Sequence, residues 1–265
     1  YKERSMGEEH GRVNAPEDAD TGWMVELDRV SVLLGGEPRV DGLTWRVPQG
    51  RVYGLLGPNG AGKSTVINLI TGLLAASRGS IRVGGLDPVR DAVEVRGLIG
   101  LVPQSDSVYP DLSARENLRF HGALFMDSVG EIPDRIEKTL ELVELAKRAD
   151  DPVRTFSGGM RRRLCIGRAL MHRPRILLLD EPTLGVDVQG TYRIWDYIRA
   201  LRGQGITVIV TTNVMGEADY LCDDLVILDH GRLVAQGSPA ELKSRAGADS
   251  LGDVFLSHPG RGLRD

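Results

Sequence analysis

The sequence predicts an α/β fold in which helices cover a mostly parallel β-sheet. Short apolar runs of strand length alternate with segments of helical apolar spacing, which is the pattern of strand–helix–strand units. A glycine-rich loop at residues 57–62 also separates a predicted strand from a predicted helix. With 265 residues, of which 41% are hydrophobic and 26% charged, the chain can form one globular core with a subdomain.

The predicted elements follow one another in chain order. The predicted strands span residues 25–32, 43–47, 51–56, 80–83, 98–102, 176–179, 207–211, 225–228 and 232–235. The predicted helices span residues 63–74, 113–125, 132–149, 191–201 and 215–221. The first two strands alternate apolar and polar residues, which indicates one buried face, whereas the apolar run 176–179 indicates a strand buried on both faces. Asp111 or Ser113 is suited to cap the helix at 113–125.

Composition excludes several classes of protein. The net charge of −4 provides no general basic surface, so we expect no nucleic acid partner. No apolar run approaches the roughly 20 residues that cross a bilayer, and no signal-peptide pattern is present, so a membrane role would need another chain. Cys165 and Cys222 form no CxxC pair, and we expect two buried thiols, not a zinc site.

The glycine-rich loop matches the pattern G-x-x-x-x-G-K-S of phosphate-binding loops. Its glycines let backbone N–H groups turn toward phosphate oxygens, and the following helix presents its positive end to the same anion. Lys63 is expected to reach the β- and γ-phosphates, and the Ser64 hydroxyl to bind Mg²⁺. We therefore predict a P-loop NTPase core that binds ATP and Mg²⁺. The predicted nucleotide-binding residues of the loop are Gly57, Pro58, Asn59, Gly60, Ala61, Gly62, Lys63, Ser64 and Thr65.

A second candidate feature is an apolar strand that ends in two carboxylates, Asp180 and Glu181. Asp180 is suited to hold Mg²⁺ directly or through water. Glu181 is suited to act as the general base toward the attacking water. Such a pair often merely begins a solvated loop, and its combination with the P-loop favours the catalytic interpretation.

Residues 156–160, Phe-Ser-Gly-Gly-Met, resemble the signature motif of ABC ATPases, usually written LSGGQ. Ser157 is expected to cap a helix, and Gly158 and Gly159 to expose N–H groups at its positive end. In ABC ATPases this motif contacts the γ-phosphate held by the P-loop of a second subunit, so that two nucleotides are sandwiched in a head-to-tail dimer. The resemblance covers about residues 25–240.

Two further segments resemble the same family. Gln104 stands where the Q-loop glutamine would contact Mg²⁺ or the attacking water and sense a membrane partner. Residues 184–187 resemble the D-loop, with Asp187 facing the partner subunit. The resemblance therefore implies a Mg²⁺ site formed by Ser64, Gln104 and Asp180.

The resemblance also implies the ABC ATPase fold, in which an antiparallel β subdomain and a helical subdomain accompany the core. We assign residues 1–22 to a polar flexible tail and residues 239–265 to a C-terminal extension. Residues 23–104 and 165–238 are assigned to the ATP-binding core with the antiparallel β subdomain, and 105–164 to the helical subdomain with the signature motif.

Two positions depart from the family pattern. Leu34 stands where the family usually has an aromatic residue that stacks on adenine, so we expect apolar contact with the base without π-stacking. Asn213 stands where a switch histidine usually bonds the γ-phosphate. Asparagine can donate a hydrogen bond but cannot carry positive charge, so we expect slower hydrolysis through Glu181.

Three consecutive arginines, Arg161, Arg162 and Arg163, follow the signature motif. On a helix they point to different faces, so we interpret them as packing, local salt bridges and solvated surface, not as a nucleic acid or lipid site.

The subfamily that this chain resembles is that of drug- and antibiotic-export ATPases, which pair with ABC-2 type permeases. The form of the P-loop, the methionine in the signature and the segments 237–242 and 251–256 carry that resemblance. It implies a transmembrane permease partner, a second ATP-binding subunit (an identical copy or a close paralogue) and a position at the cytoplasmic face of the membrane. The cargo could be a hydrophobic antibiotic, a lipid or a polysaccharide, and import remains an alternative. The second function considered is a regulatory cassette that binds nucleotide with little or no hydrolysis.

Overall fold

The structure is a computed structural model that describes residues 22–126 and 128–257. All but the last residue of the tail assigned to 1–22 lies outside the described residues, as do residues 258–265 of the C-terminal extension. The strands of the described part are β1 (Trp23–Leu34), β2 (Glu37–Pro48), β3 (Val52–Leu56), β4 (Arg78–Val83), β5 (Ile99–Val102), β6 (Ile176–Asp180), β7 (Thr207–Thr212), β8 (Asp224–Asp229) and β9 (Arg232–Gly237). The α-helices of that part are α1 (Lys63–Ile70), α2 (Ala92–Leu98), α3 (Ala114–Phe125), α4 (Ile132–Leu142), α5 (Gly158–Leu170), α6 (Val188–Gly203), α7 (Met215–Leu221), α8 (Pro239–Ala246) and α9 (Leu251–Leu256).

The larger sheet has the strand order β5-β6-β7-β3-β8-β9. Its neighbouring strands are parallel except β9, which pairs antiparallel with β8. Every residue of β3 and β7 is buried, as expected for central strands covered by helices on both faces. The mostly parallel sheet that the sequence predicts is confirmed. The carboxyl ends of β6, β7 and β3 therefore lie side by side at one edge.

The smaller sheet is antiparallel, in the order β2-β1-β4. The β1–β2 hairpin turns at Gly35 and Gly36, whose φ angles of 62° and 85° suit a two-residue turn that other residues rarely adopt. Its inward side chains join those of α1 in one apolar cluster. This sheet is the antiparallel subdomain that the family resemblance implied.

The helices α3, α4 and α5 pack around a separate apolar cluster that includes Leu118, Ile136, Leu140 and Leu164. The opposite side of α5 packs against the larger sheet through residues such as Ile166. The helix α5 therefore belongs to both cores and joins the helical region to the sheet.

Several predicted boundaries differ from the structure. The helix predicted at 63–74 ends at Ile70, and that at 132–149 ends at Leu142, where Glu144 takes a positive φ of 56°. Of the two candidate caps of α3, the structure uses Ser113, which forms a capping box with Glu116. The cysteines are buried free thiols, as predicted. None of the described helices is long and apolar enough to span a membrane.

Candidate nucleotide site

The phosphate loop runs from the end of β3 into α1. Gly57 has a φ of 156°, and a Cβ there would lie 2.4 Å from the Leu228 carbonyl oxygen. The cap of α1 is Gly62, with a φ of 107° and no side-chain cap hydrogen bond. The first backbone N–H groups of α1 are therefore available to an anion at the positive end of the helix. The remaining predicted loop residues, Pro58, Asn59, Gly60 and Ala61, lie between these two glycines.

The side chain of Lys63 folds back over this loop. Its Nζ donates hydrogen bonds to the carbonyl oxygens of Gly57 at 2.7 Å and Pro58 at 3.2 Å. Burial lowers the pKa of Lys63 below its ordinary value, and the negative charges of Glu181 and Asp180 oppose that shift. Lys63, Asp180 and Glu181 therefore lie close enough for their charges to interact. Ser64, next along α1, is exposed.

The sheet register aligns the acidic residues with this loop. Asp180 ends β6 opposite Thr211 of β7, and Thr212 lies opposite Leu56 of β3, directly before the loop. The Thr211 hydroxyl donates a hydrogen bond to Oδ1 of Asp180. This bond orients the carboxylate at the shared edge of the three strands.

Glu181 follows with an unusual backbone. Its φ is 46°, a left-handed value that costs a non-glycine residue about 1–3 kcal/mol. Its N–H donates to the Thr211 carbonyl oxygen at 3.0 Å. The Gln104 side chain, from the loop after β5, donates through Nε2 to Oε2 of Glu181 at 3.3 Å. The structure thus brings Gln104, Asp180 and Glu181 together.

The signature segment lies elsewhere on the chain. Ser157 caps α5, its Oγ accepting from the Met160 N–H at 3.3 Å. Built Cβ atoms on Gly158 and Gly159 would be nearest to Gly185 and Val186, which belong to the predicted D-loop. Cβ atoms built on the P-loop glycines Gly57 and Gly62 would instead be nearest to residues 39, 40, 61, 228 and 231. The two motifs share no close neighbour within one chain.

The other predicted site residues have distinct positions. Asp187 caps α6, its Oδ1 accepting from the Gly190 N–H at 2.7 Å. Leu34 is 43% exposed at the end of β1, on the hairpin whose second strand carries Val40 beside the P-loop. Asn213 is exposed directly after β7, at the same sheet edge as Asp180.

Two residues that organise the site were missed by the sequence analysis as site residues. Thr211 was predicted only as a strand residue, and its position opposite Asp180 depends on the register of two distant strands. Arg162 was interpreted as one of three packing or surface arginines, and it is indeed buried. Its spacing from the apolar residues Cys165, Ile166 and Ala169 matches one helix face, so a helical projection of α5 could have marked it as inward-facing.

Oxygen donors at this edge are of the type that Mg²⁺ prefers. The Ser64 hydroxyl, the Asp180 carboxylate and the Gln104 amide are the candidates. Across the described residues there is no cluster of three or more His, Cys, Asp or Glu side chains that could hold a metal by themselves. The oxygen donors of Ser64, Asp180 and Gln104 fit an ion that is shared with nucleotide phosphates and water, as Mg²⁺ in phosphoryl-transfer sites is.

Comparisons with known proteins identify relatives of this chain. The sequence model of the family described as ABC transporter matches residues 40–184. The linearmycin resistance ATP-binding protein LnrL of Bacillus subtilis is 42% identical over 234 residues, covering 88% of this chain and 75% of that protein. The daunorubicin resistance ATP-binding protein DrrA3 of Streptomyces coeruleorubidus is 41% identical over 243 residues, covering 92% of this chain and 76% of that protein.

A solved structure is similar as well. It is the dimeric ATP-binding cassette MJ0796 in a post-hydrolysis state with ADP and Pi bound, and it superposes with a TM-score of 0.70 at 27% identity. The match covers 81% of this chain and 98% of that one.

Proposed function

Because this chain belongs to the ABC transporter family of ATP-binding proteins, we propose that it powers the export of a hydrophobic compound, such as an antibiotic or a drug, through a separate permease. Members of this family hydrolyse ATP, and this chain is an ATPase. The resistance functions named for two relatives support the choice of cargo.

Within the site, we assign hydrolysis to the edge formed by β6, β7 and β3. The P-loop N–H groups and Lys63 bind the phosphates, and Glu181 orients and deprotonates the attacking water. The observation that supports this assignment most directly is the hydrogen bond from Gln104 to Glu181, beside an Asp180 oriented by Thr211. In this arrangement Asp180 would hold the metal ion and Glu181 would act on the water.

Mg²⁺ is assigned to Ser64, Asp180 and Gln104. When bound, the ion would neutralise charge on the phosphate oxygens. The chain's own contribution is to hold these donors: Thr211 fixes Asp180, and Ser64 occupies the first turn of α1. Asn213 lies at the same edge and is assigned to bond the γ-phosphate.

The second half of each site is assigned to a second ATP-binding subunit, either an identical copy or a close paralogue. The separation of Ser157 and Gly159 from the P-loop within one chain supports this arrangement. The positive end of α5 would then face the nucleotide of the other subunit. Leu34 is assigned to apolar contact with the adenine.

The permease is proposed to dock in a groove between the helical region and the larger sheet. This groove encloses about 270 Å³ and is lined by Leu101, His121 and Ala169, among others. At its rim the large apolar side chains of Leu73 and Phe125 are 65% and 54% exposed, so they are open to contact with a partner. Such a docking site would hold the chain at the cytoplasmic face of the membrane.

The experiment that tests the function measures phosphate release by the subunit reconstituted with its permease in liposomes. We expect the wild type to exceed Glu181→Gln by roughly a hundredfold or more, because the variant lacks the general base. Equal rates would contradict transport powered by hydrolysis and would favour the regulatory cassette. Retained ATP binding by Glu181→Gln serves as the control for folding.

The assignment of Ser157 to the neighbouring site has its own test. In Ser157→Arg a long cation would obstruct the partner's phosphate, so we expect turnover to be lost while the isolated subunit binds ATP as the wild type does. Nucleotide binding measured by fluorescence titration and turnover measured in the complex separate the two effects. Loss of ATP binding in the isolated subunit would refute the assignment.

A further inference from the structure

Arg162 lies in the interior, at the junction of the signature helix and the sheet. Only 4% of this residue is exposed. Its Nε donates to the Pro182 carbonyl oxygen at 2.9 Å, and its Nη2 donates to that of Asp180 at 2.6 Å. Its Nη1 donates to the carbonyl oxygen of Pro103. One planar guanidinium thus binds backbone from the ends of two neighbouring strands.

These three carbonyl groups belong to residues that adjoin Glu181 and Gln104 in the chain. Two of them flank Glu181, one on each side along the chain, and the third immediately precedes Gln104. The peptide N–H between Asp180 and Glu181 is already held by Thr211. The guanidinium therefore completes the set of bonds that fixes the left-handed backbone of Glu181, and it also fixes the start of the Gln104 loop.

The two neighbouring arginines form ion pairs with carboxylates. Arg161 pairs with Asp106 at 2.8 Å, and Arg163 pairs with Glu144 at 3.2 Å. Arg162 forms no such ion pair with any carboxylate in the described part of the chain. A buried cation that is satisfied only by backbone carbonyls is costly to desolvate, so this position carries a requirement beyond general packing.

The same side chain belongs to the helix that begins with the signature motif. Arg162 is three residues after Gly159, within the first turns of the 13-residue helix α5. Because Ser157, Gly159 and Arg162 share the first hydrogen-bonded turns of one helix, a displacement of its N-terminal end would also displace the guanidinium. Whatever binds at Ser157 is therefore mechanically connected to the backbone around Glu181.

We propose that Arg162 is a positioning residue that couples the two ATP sites of the dimer. The signature end of α5 contacts the nucleotide on the partner, and Arg162 transmits that contact to Glu181 and Gln104, which serve the nucleotide on the same chain. This inference rests on the proposed head-to-tail dimer. Binding at one site thereby aligns the water-activating carboxylate at the other, which predicts positive cooperativity in ATP.

The test compares Arg162→Lys with Arg163→Lys in the permease complex. Lysine keeps the charge at position 162, but its single ammonium cannot reproduce the planar fork that reaches three carbonyls. Arg163 is the matched control because it lies on the same helix and donates to the Val143 carbonyl at 2.9 Å, away from Glu181. The readouts are kcat, KM and the Hill coefficient for ATP, together with ATP binding by the isolated subunits.

For Arg162→Lys we expect kcat to fall roughly tenfold to a hundredfold, the Hill coefficient to drop to unity and KM to change little. Arg163→Lys should keep the wild-type Hill coefficient. A wild-type Hill coefficient in Arg162→Lys, or a coefficient of unity in the wild type, would overturn the coupling. Loss of ATP binding by the isolated Arg162→Lys subunit would also overturn it, since the role would then be structural.

The same measurements separate this inference from the function on which it rests. If the wild type hydrolyses ATP no faster than Glu181→Gln, the proposed function fails. If the wild type is active and both lysine variants match it, only the role of Arg162 fails.

Discussion

Glu181 owes its position to bonds made by its neighbours and not by its own side chain alone. Its φ of 46° is fixed by a hydrogen bond from its N–H to the Thr211 carbonyl oxygen and by hydrogen bonds from Arg162 to the carbonyl oxygens of Asp180 and Pro182. The sequence motif predicted that Asp180 and Glu181 end a strand. It carried no information on Thr211, because the pairing of β6 with β7 joins residues that are distant in the chain.

Asn213 supports a prediction at this scale. Replacing it by histidine should raise the hydrolysis rate several-fold, because imidazole reaches further and can carry a positive charge toward the γ-phosphate. Steady-state phosphate release by the permease complex measures the effect. The variant Asn213→Gln, longer but uncharged, separates reach from charge. An unchanged or lower rate in Asn213→His would contradict the assignment of this position.

At the scale of elements, the existence and type of most strands and helices followed from apolar spacing, whereas some ends did not. The helix α1 ends just before Gly72, whose φ of 69° breaks the helical conformation and where a Cβ would lie 1.9 Å from the Pro88 carbonyl oxygen. The helix α4 stops at a residue that precedes Glu144 with its positive φ. The limit of α4 depends on a conformation that no local sequence signal announces, whereas Gly72 is of the residue type that commonly follows a helix end and could have marked the limit of α1.

The P-loop supports a prediction about two of its glycines. Gly57→Ala should lower the free energy of unfolding by about 2–4 kcal/mol, since its Cβ would overlap the Leu228 carbonyl oxygen. Gly60→Ala should cost only about 1 kcal/mol, because its φ of 80° is strained for alanine but no atom lies within 4 Å. Urea unfolding of the isolated subunit measures both. Equal losses would show that steric overlap at Gly57 does not decide the loop conformation.

At the scale of the whole molecule, two half-buried histidines, His121 and His172, lie where the helical region meets the sheet. Burial lowers the pKa of His121 to about 3, with Arg168 and His172 adding to the shift. Its ring stacks on Phe125 with centroids 4.4 Å apart. Burial also lowers the pKa of His172, although the hydrogen bond to the Ile99 carbonyl opposes the shift. The ring of His121 is therefore neutral in the folded protein at mildly acidic pH.

The lowered pKa of His121 in the folded protein predicts a loss of stability in acid. Below about pH 6.5 the unfolded chain binds a proton at position 121 that the folded chain does not, so the free energy of unfolding falls with pH by at most about 1.4 kcal/mol per unit for this group. His121→Gln should reduce the slope measured by urea unfolding between about pH 6.5 and 5. His230→Asn, which removes an exposed histidine on a turn, is the control. The prediction fails if His121→Gln unfolds with the wild-type slope.

The distance between the signature glycines and the P-loop has a kinetic consequence. In the proposed head-to-tail arrangement a solitary chain holds two incomplete halves of an active centre, so it would bind nucleotide without hydrolysing it. The specific activity of the free subunit should therefore climb with its own concentration and vanish on dilution, without any unfolding. In a cell, such a subunit would spend little ATP until a permease gathered two copies at the same place.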